Sequence, residues 1–396
     1  MKILILTTSF PLVEHSTSGL FIQHLVEHLA TSVDITILTP GHTMDVKPPV
    51  NAPYQLKWFR YAPKSWQKLA HEPGGIPVAL KNNPLLFLLL PVFLISMTFS
   101  CLRLARNVDV IHANWSVNGV IAGIAGLLTG TPVITTLRGS DVRRALDSWI
   151  EGYLLKLCLY LNDRVVAVSH AMRKIVKKKF PRFSRHLLTI PNGVSKTFLE
   201  ITPHDTEKNR PLRLISIGNL IPQKGLDTVL SALGQSECPN DFLYYIIGEG
   251  IEKQRLIDLA SQLHISEQVK FLGNISNKDL PAHLQYMDML ILSSYGEGRP
   301  NVVMEAMAAG IPVIASHIDG VKELIQDETS GLLFEAGNVA HLARQLERLK
   351  NNPCLRHTLG TSGRQFILQN GLTWDKAAFH YINIYLDLTK GKRMKV

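Results

Sequence analysis

Two glutamates, Glu297 and Glu305, are separated by seven residues in a segment that passes from a loop into a helix. Pro300 and Asn301 predict the helix start, because Asn is a favourable N-cap and an apolar run follows from Val302. We therefore expect Glu297 in the approach loop and Glu305 about one turn inside the helix. The first turn of a helix presents unpaired backbone N–H groups, which bind anions.

This combination can bind a sugar diphosphate. Two carboxylates can accept hydrogen bonds from hydroxyl groups of two sugar rings, while the N–H groups of Val302 and Val303 face phosphate. The alternative is structural, with one charge near the helix start and one in a loop, each slightly stabilising the fold. The pair by itself leaves both interpretations open.

The residues around the pair are more specific. The chain reads Ser293-Ser-Tyr-Gly-Glu-Gly-Arg-Pro-Asn, then Glu305-Ala-Met-Ala-Ala-Gly-Ile-Pro-Val, then Asp319-Gly. This stretch resembles the family 4 glycosyltransferases of the GT-B class, in which Glu, seven residues and Glu precede Ala-Met-Ala, Gly-x-Pro-Val and a Gly-Gly pair. Asp319 stands where the first Gly of that pair is usual.

The resemblance implies a retaining, nucleotide-sugar-dependent enzyme of the cell-envelope polysaccharide type. It implies that Glu297 binds hydroxyl groups of the donor sugar and that Glu305 binds the ribose. It also places Gly298, Asn301 and the helix start at Val302 among the donor contacts.

A second donor element follows the strand that ends near Gly218. Asn219-Leu-Ile-Pro-Gln-Lys224-Gly225 leads into a helix, and a strand, a loop with Lys and a helix start can hold phosphate. The segment is similar to the family's Gly-Arg-Leu-x-x-x-Lys-Gly loop. Because Asn219 replaces the Arg, Lys224 must neutralise more of the departing diphosphate. Gly273 matches a family loop that lies beside the nucleotide base.

The first half of the chain contributes three shorter motifs. Ser18-Gly19 opens the first helix, and Gly19 either approaches the donor phosphate, as the resemblance implies, or is a plain turn glycine. Arg138 stands where many relatives have His. It cannot act as a general base, because Arg keeps its proton, but it can stabilise negative charge on phosphate or acceptor. Asp141 is either an acceptor-side residue or a helix N-cap.

His112 ends a strand in Asp-Val-Ile-His-Ala-Asn, similar to the family's Asp-x-Ile-His-x-His, with Asn114 for the second His. It is either an acceptor-side residue or a hydrogen-bonded core histidine. No two Asp residues stand two positions apart, so the Asp-x-Asp metal site of the other major glycosyltransferase fold is missing. We expect neither metal nor other cofactor; Lys224 and a helix dipole would stabilise the leaving group instead.

The elements that position these residues alternate between apolar strands and helices, which predicts an α/β fold of two doubly wound parallel sheets, GT-B by resemblance. We expect domains at 1–192 and 193–375, facing a cleft, with a helix at 376–396 crossing back to the first. Expected strands are Ile3–Leu6, Ile35–Thr39, Val110–His112, Val133–Thr136, Val165–Val168, Leu187–Ile190, Leu214–Ile217, Tyr244–Ile247, Val269–Leu272, Met289–Leu292 and Val313–Ala315.

Charge is uneven along the 396 residues: residues 1–200 hold 22 Lys and Arg against 11 Asp and Glu, and the remainder 20 against 21. A basic half indicates a polyanionic partner, and the cluster Arg173–Arg185 is either a binding site for an anionic membrane or a solvated helix end. No nucleic-acid motif accompanies it. Four scattered cysteines and an N-terminus without a signal-peptide pattern indicate the cytosol.

Leu85–Leu102 contains no charged residue. We expect a helix packed on the first domain with one face at the membrane interface; a buried core helix and a spanning helix are the alternatives.

The expected protein is thus a metal-independent hexosyltransferase on the inner face of the cell membrane, acting on a nucleotide sugar and a polyprenyl-linked or other glycan acceptor. Two alternatives stay open. One is a catalytically weak membrane scaffold, since Arg138 and Asn219 replace usual residues, and the other is a nucleotide-sugar epimerase with the same fold.

Overall fold

The computed structural model describes residues 1–12, 19–43, 51–70, 75–202, 210–236 and 239–393; Ser18 and Cys238 lie outside these ranges. The chain forms two compact units. Unit 1 comprises Met1–Asn192 and Trp374–Val396, and unit 2 comprises Gly193–Thr373.

Unit 1 is built on a seven-stranded parallel sheet with the order β3-β2-β1-β4-β5-β6-β7. Its strands are β1 (Lys2–Leu6), β2 (Asp34–Pro40), β3 (Gln55–Phe59), β4 (Val110–Asn114), β5 (Val133–Leu137), β6 (Arg164–Ala167) and β7 (Leu187–Thr189). Its helices are α1 (Leu20–Leu29), α2 (Gly75–Asn82), α3 (Leu90–Ala105), α4 (Ser116–Thr129), α5 (Ser140–Asp147), α6 (Trp149–Leu161), α7 (His170–Lys179) and the C-terminal α16 (Trp374–Arg393).

Helices cover both faces of this sheet, which is why its strands are apolar throughout. On β1, Ile3 and Ile5 pack with α1 and α16, while Leu4 and Leu6 point to the opposite face and pack with α3 and α4. The C-terminal helix therefore completes the core of unit 1, although the whole of unit 2 lies between β7 and this helix in the sequence.

The apolar segment Leu85–Leu102 forms a 3-10 turn (Pro84–Leu89) followed by α3. By length and composition Pro84–Ala105 could cross a membrane. It does not do so here, because β1 before it and β4 after it pair in one sheet. The interpretation as a fully buried helix is also wrong. Only one face of α3, with Phe93, Met97 and Cys101, is buried, and the rest of Leu85–Leu102 is half-buried or exposed.

Unit 2 contains a six-stranded parallel sheet with the order β10-β9-β8-β11-β12-β13. Its strands are β8 (Leu212–Ile217), β9 (Phe242–Ile247), β10 (Val269–Gly273), β11 (Met289–Leu292), β12 (Val313–Ser316) and β13 (Leu332–Phe334). Its helices are α8 (Lys196–Leu199), α9 (Leu226–Gly234), α10 (Lys253–Gln262), α11 (Leu280–Leu284), α12 (Asn301–Ala308), α13 (Asp319–Lys322), α14 (Val339–Lys350) and α15 (Pro353–Gln369).

The two parallel sheets confirm the predicted α/β class with two doubly wound domains. Two strands were missed, β3 and β13. Each is an outermost strand of its sheet: β3 mixes Gln55 and Lys57 with apolar residues and is largely exposed, and β13 has only three residues, so neither forms a long apolar run. The boundary expected after residue 375 lies two residues too late, because Trp374 is buried in the core of unit 1.

We expect Tyr385→Ala to destabilise unit 1 by about 3–5 kcal/mol, the usual cost of removing a fully buried aromatic side chain. Tyr385 is completely buried between α16 and the sheet. The matched control is Phe379→Ala on the same helix, since Phe379 is exposed and should change stability by less than about 1 kcal/mol. Chemical denaturation measures the free energy of unfolding of both variants. A Tyr385→Ala variant that loses as little stability as Phe379→Ala would show that packing of α16 does not stabilise unit 1.

Candidate functional site

The strand order of unit 2 reverses between β8 and β11, which are neighbours in the sheet although β9 and β10 come between them in sequence. At such a reversal the connections leave on opposite sides of the sheet, and a crevice opens at the carboxyl ends of the strands. Lys224 follows β8 and Glu297 follows β11. The topology therefore brings these two predicted residues to the same edge of the sheet.

Lys224 is held by a tight turn. After β8, Gly218 leads to a 3-10 turn (Pro222–Lys224), and α9 begins beyond Gly225, whose backbone is left-handed (φ +58°). A Cβ atom on Gly225 would lie 2.5 Å from the carbonyl oxygen of Ser293, so only glycine permits this approach. The hydroxyl of Ser293 donates to the Lys224 carbonyl at 2.8 Å, which fixes the loop after β8 to the loop after β11.

Lys224 and Glu297 form an ion pair, with 2.6 Å between Lys224 Nζ and Glu297 Oε1. The Ser294 hydroxyl donates to the same carboxylate oxygen at 2.8 Å. Both charged side chains are largely buried, so each stabilises the other's charge. The expected separate roles, Lys224 for diphosphate and Glu297 for sugar hydroxyls, thus belong to groups that contact each other in the structure.

The helix that carries Glu305 begins at Asn301, and Pro300 is its N-cap. The expectation that Asn301 itself is the cap is wrong, since no side chain caps this helix; Pro300 takes the cap position because its extended backbone leads into the first turn. Val302 and Val303 lie in that turn, where N–H groups have no acceptor within the helix.

Glu305 is the fifth residue of α12, one turn in, as expected. Its carboxyl group contacts no hydrogen-bond donor and no cation within the described part of the chain. Burial alone raises the pKa of Glu305 to about 7. A half-buried carboxyl without a partner is costly to ionise, and hydroxyl groups of a ligand would supply the missing donors.

The other predicted donor residues of unit 2 lie on nearby loops. Gly218 (φ +151°) lies against the Lys224 side chain, where a Cβ atom would be 3.3 Å from Lys224 Cε. Gly273 is the last residue of β10 and accepts from the Gly248 N–H at 2.8 Å. Asn219 and Gly298 lie in the loops that follow β8 and β11. Their proposed contacts with donor remain predictions.

In unit 1, Arg138 follows β5 and its guanidinium group is held on three sides. Its Nε and Nη2 donate to Asn114 Oδ1 at 2.9 and 2.6 Å, and its Nη1 donates to Asn192 Oδ1 at 3.0 Å. The Phe21 ring lies 4.7 Å from the guanidinium carbon, within range for a cation–π interaction. Within the described residues, all hydrogen-bond acceptors of the guanidinium group are neutral. The Asp141 carboxylate, which accepts from the Arg138 backbone N–H at 3.2 Å, acts on the guanidinium charge without a hydrogen bond to it.

His112 lies inside unit 1. Its Nδ1 is 2.6 Å from the Tyr385 hydroxyl and its Nε2 is 2.8 Å from the Thr136 hydroxyl. Burial, together with the Arg138 charge, lowers the pKa of His112 to about 3, so the ring is neutral. These contacts support the interpretation as a hydrogen-bonded core histidine. No sequence signal indicated this pairing, because Tyr385 is 273 residues away.

Asp141 also has structural contacts. Its buried carboxylate accepts hydrogen bonds from the backbone N–H groups of Arg138, Gly139, Val142 and Ser116 at 2.9–3.2 Å. Ser116 is the first residue of α4, so Asp141 ties the start of α4 to the turn after β5. It is not the N-cap of α5, because that helix begins at Ser140 with Gly139 as cap.

Gly19 is the N-cap of α1 and has left-handed backbone (φ +78°). A Cβ atom there would lie 2.5 Å from the Ser9 carbonyl oxygen. The need for glycine at this turn is therefore explained by the fold itself, and an approach to donor phosphate remains a prediction. Ser294 was not among the predicted residues; its position directly after a buried strand and before the Glu297 motif is the signal that could have identified it.

Comparison with known proteins identifies the same two parts. The "Glycosyltransferase Family 4" model matches residues 19–198, and the "Glycosyl transferases group 1" model matches residues 200–366. A phosphatidyl-myo-inositol mannosyltransferase of Mycobacterium leprae is 29% identical over 67% of this chain and 70% of its own length.

Solved GT-B structures share the fold over nearly the whole chain. Sucrose-phosphate synthase from Thermosynechococcus elongatus matches with a TM-score of 0.79 at 20% identity, covering 99% of this chain and 100% of its own. Anabaena HepE in complex with UDP-glucose matches with a TM-score of 0.74 at 17% identity, covering 98% and 100%.

The raised pKa of Glu305 predicts a pH-dependent cost to stability. Between about pH 4.5 and 7 the folded chain keeps a proton that the unfolded chain releases, so the free energy of unfolding falls as pH rises through this window. Glu305→Gln removes that loss and should stabilise the protein at pH 8 by roughly 1–3 kcal/mol, with little effect at pH 4.

The control is Glu267→Gln, a substitution at an exposed position, which should change stability equally little at both pH values. Urea unfolding at pH 4 and pH 8 measures the difference. A Glu305→Gln variant that is no more stable than wild type at pH 8 would show that the carboxyl is not strained in the unliganded protein.

Proposed function

The chain belongs to the glycosyltransferases of family 4, and we propose that it transfers a sugar from a nucleotide diphosphate sugar to a lipid-linked glycan in cell-envelope or exopolysaccharide synthesis. The observation that carries the proposal is the unpartnered carboxyl of Glu305, in the helix that follows the Lys224–Glu297 pair. The complex of HepE with UDP-glucose supports a nucleotide sugar as donor.

Glu305 binds the ribose in this proposal. Two vicinal hydroxyl groups supply hydrogen bonds to a carboxylate that receives none from the residues the structure describes, and a charged acceptor makes such bonds strong. Because only the ionised form accepts two of them fully, donor affinity should increase as pH rises through about 7, the pKa of Glu305.

Lys224 and Glu297 change partners when the donor binds. Lys224 Nζ is attracted to the diphosphate, which carries more charge than one carboxylate, and Glu297 then accepts from hydroxyl groups of the donor sugar. Ser294, bonded to Glu297 Oε1, keeps the carboxylate in position during the exchange. The N–H groups of Val302 and Val303 add to the positive potential near the phosphates.

The proposed reaction breaks the bond between the anomeric carbon and the phosphate oxygen and forms a bond from that carbon to the acceptor oxygen on the same face. The acceptor proton passes to the leaving phosphate. This route needs no carboxylate nucleophile, consistent with Glu297 Oε1 being engaged by Lys224 and Ser294. Positive charge from Lys224 and the start of α12, without a metal, would stabilise the leaving diphosphate.

Arg138 binds an anionic oxygen of a ligand in this proposal. A largely buried guanidinium whose hydrogen-bond acceptors are all neutral is only partly compensated by the Asp141 carboxylate, so an anionic ligand in direct contact would stabilise its charge further. Its fixed orientation against Asn114 and Phe21 prepares it to bind without reorganisation. The anion is either a phosphate of the donor or an acidic group of the acceptor.

We place the enzyme in the cytoplasm, at the inner face of the membrane, where a polyprenyl-linked acceptor would be presented. The relative from Mycobacterium leprae, named for a phosphatidylinositol lipid, supports a lipid-linked acceptor, as does the exposed face of α3.

Glu305→Ala should abolish detectable donor binding while the protein stays folded, because the ribose loses its main hydrogen-bond acceptor. Calorimetric titration with UDP-, GDP- and ADP-sugars at pH 8 measures this and identifies the base. The control is Glu267→Ala at an exposed site. Wild-type affinity in Glu305→Ala would remove the ribose role, and donor conversion without acceptor would favour an epimerase.

Arg138→Lys should lower kcat/KM by about 10–100-fold, because Lys keeps the charge but loses the planar, fixed donor geometry. Arg143→Lys on the exposed side of α5 is the matched control. Unchanged donor affinity with a raised acceptor KM assigns the anion to the acceptor, and weakened UDP binding assigns it to the donor. A folded Arg138→Met variant with wild-type kcat/KM would refute an anion-binding role.

A further inference from the structure

One helical layer of unit 1 exposes apolar side chains over its whole width. Helix α4 packs against α3 on one side and α6 on the other, and the three helices cover the sheet face opposite to α1 and α16. The outer surface of this layer carries Ile95 and Phe99 of α3, Leu127 and Leu128 of α4, and Trp149 of α6, all more than half exposed.

Folding does not explain these residues. The inner stripe of α3, with Phe93, Met97 and Cys101, fills the core. Ile95 and Phe99 lie on the other face of the same helix and contact water. A helix that is apolar on all sides is expected where both faces are buried, and an exposed apolar patch of this extent marks an interaction surface.

The junction of α5 and α6 adds an aromatic segment. Leu146 lies near the end of α5, and Trp149, Ile150 and Tyr153 lie in the first turns of α6; all four are exposed. Within α6, Tyr153 is three residues from Ile150 and four from Trp149, which places these three on one side of the helix. Trp149, at 83%, is the most exposed of the large apolar side chains in the described ranges. Trp and Tyr are enriched where a protein meets the headgroup region of a membrane, because their rings are apolar and their N–H or O–H groups are polar.

A basic helix adjoins this segment. Lys179, near the end of α7, donates its Nζ to the carbonyl of Ala145 in α5, and a Cβ atom on Gly152 of α6 would lie 3.5 Å from the same nitrogen. The end of α7, which also carries the exposed Lys177 and Lys178, is therefore held next to α5 and α6. Positive charge next to an apolar, aromatic surface is complementary to anionic lipid headgroups above an acyl layer.

We propose that the outer surface of α3, α4 and α6, with the basic end of α7, docks this protein on an anionic phospholipid bilayer. The inference rests on the proposed function in that the acceptor is lipid-linked. The apolar side chains enter the headgroup–acyl boundary and the lysines bind phosphates, while the sheet beneath the helices stays in the cytosol. A two-fold dimer through the same surface is less favourable, since it would bring like-charged clusters to one interface.

Vesicle flotation of the full chain tests this proposal, with phosphatidylcholine vesicles that contain or lack phosphatidylglycerol. Trp149→Ser with Ile150→Ser, and separately Leu127→Ser with Leu128→Ser, should each lower partitioning at least about tenfold, because two apolar side chains no longer enter the lipid. Lys177→Glu with Lys178→Glu should remove the dependence on phosphatidylglycerol and on salt. The matched control is Phe379→Ser, an exposed aromatic on α16 at the opposite sheet face, which should float like wild type.

Two outcomes would overturn the proposal. One is a wild-type protein that does not float with anionic vesicles. If that protein instead forms a dimer in sedimentation velocity and the Trp149 variant does not, the surface binds a second copy of the chain. The other is flotation of both apolar variants at the wild-type level. Donor calorimetry separates this inference from the proposed function: Glu305→Ala should float normally but bind no donor, whereas the apolar variants should bind donor normally but not float.

Discussion

The candidate donor site depends on the adjacency of β8 and β11 in a parallel sheet. Parallel strands bring their carboxyl ends to one edge, and the reversal of strand order between these two leaves room between the connections that follow them. Lys224 and Glu297 are 73 residues apart in sequence, yet they lie 2.6 Å apart. Local structure around either residue cannot bring the two side chains together. The site exists because the sheet fixes where both loops begin.

Both units are built on a parallel sheet, but the polar groups at the carboxyl ends of the strands have different partners in the two units. In unit 2 the edge keeps groups that ligands could satisfy, among them the Glu305 carboxyl and the N–H groups at the start of α12. In unit 1 the polar side chains largely satisfy one another. His112 is bonded to Tyr385 and Thr136, and Asp141 holds four backbone N–H groups. Arg138 is the exception, since its hydrogen bonds to neutral amide oxygens fix its position and leave Asp141 as the carboxylate that acts on its charge without a direct hydrogen bond.

Some groups in this protein are placed in environments that lower the stability of the free chain. The carboxyl of Glu305 is kept where ionisation is unfavourable, so the free protein bears a cost that a ligand could relieve. The outer surfaces of α3, α4 and α6 show the reverse, with apolar groups kept in water. Both features lower the stability of the isolated chain, and binding of a ligand or of a membrane surface would offset this cost.

The sequence by itself determined the fold class and most central strands, because strands buried on both faces must be apolar runs such as Leu214–Ile217. It also determined the motif spacing that identified the family and the position of Glu305 in its helix. It did not reveal β3 and β13, whose edge positions leave weak patterns. Only the tertiary structure decided that Lys224 and Glu297 pair, that His112 meets Tyr385, and that Asp141 accepts from Ser116. These contacts join residues that are 25 to 273 positions apart in the sequence, and their distances depend on strand order and helix packing, which no local pattern encodes.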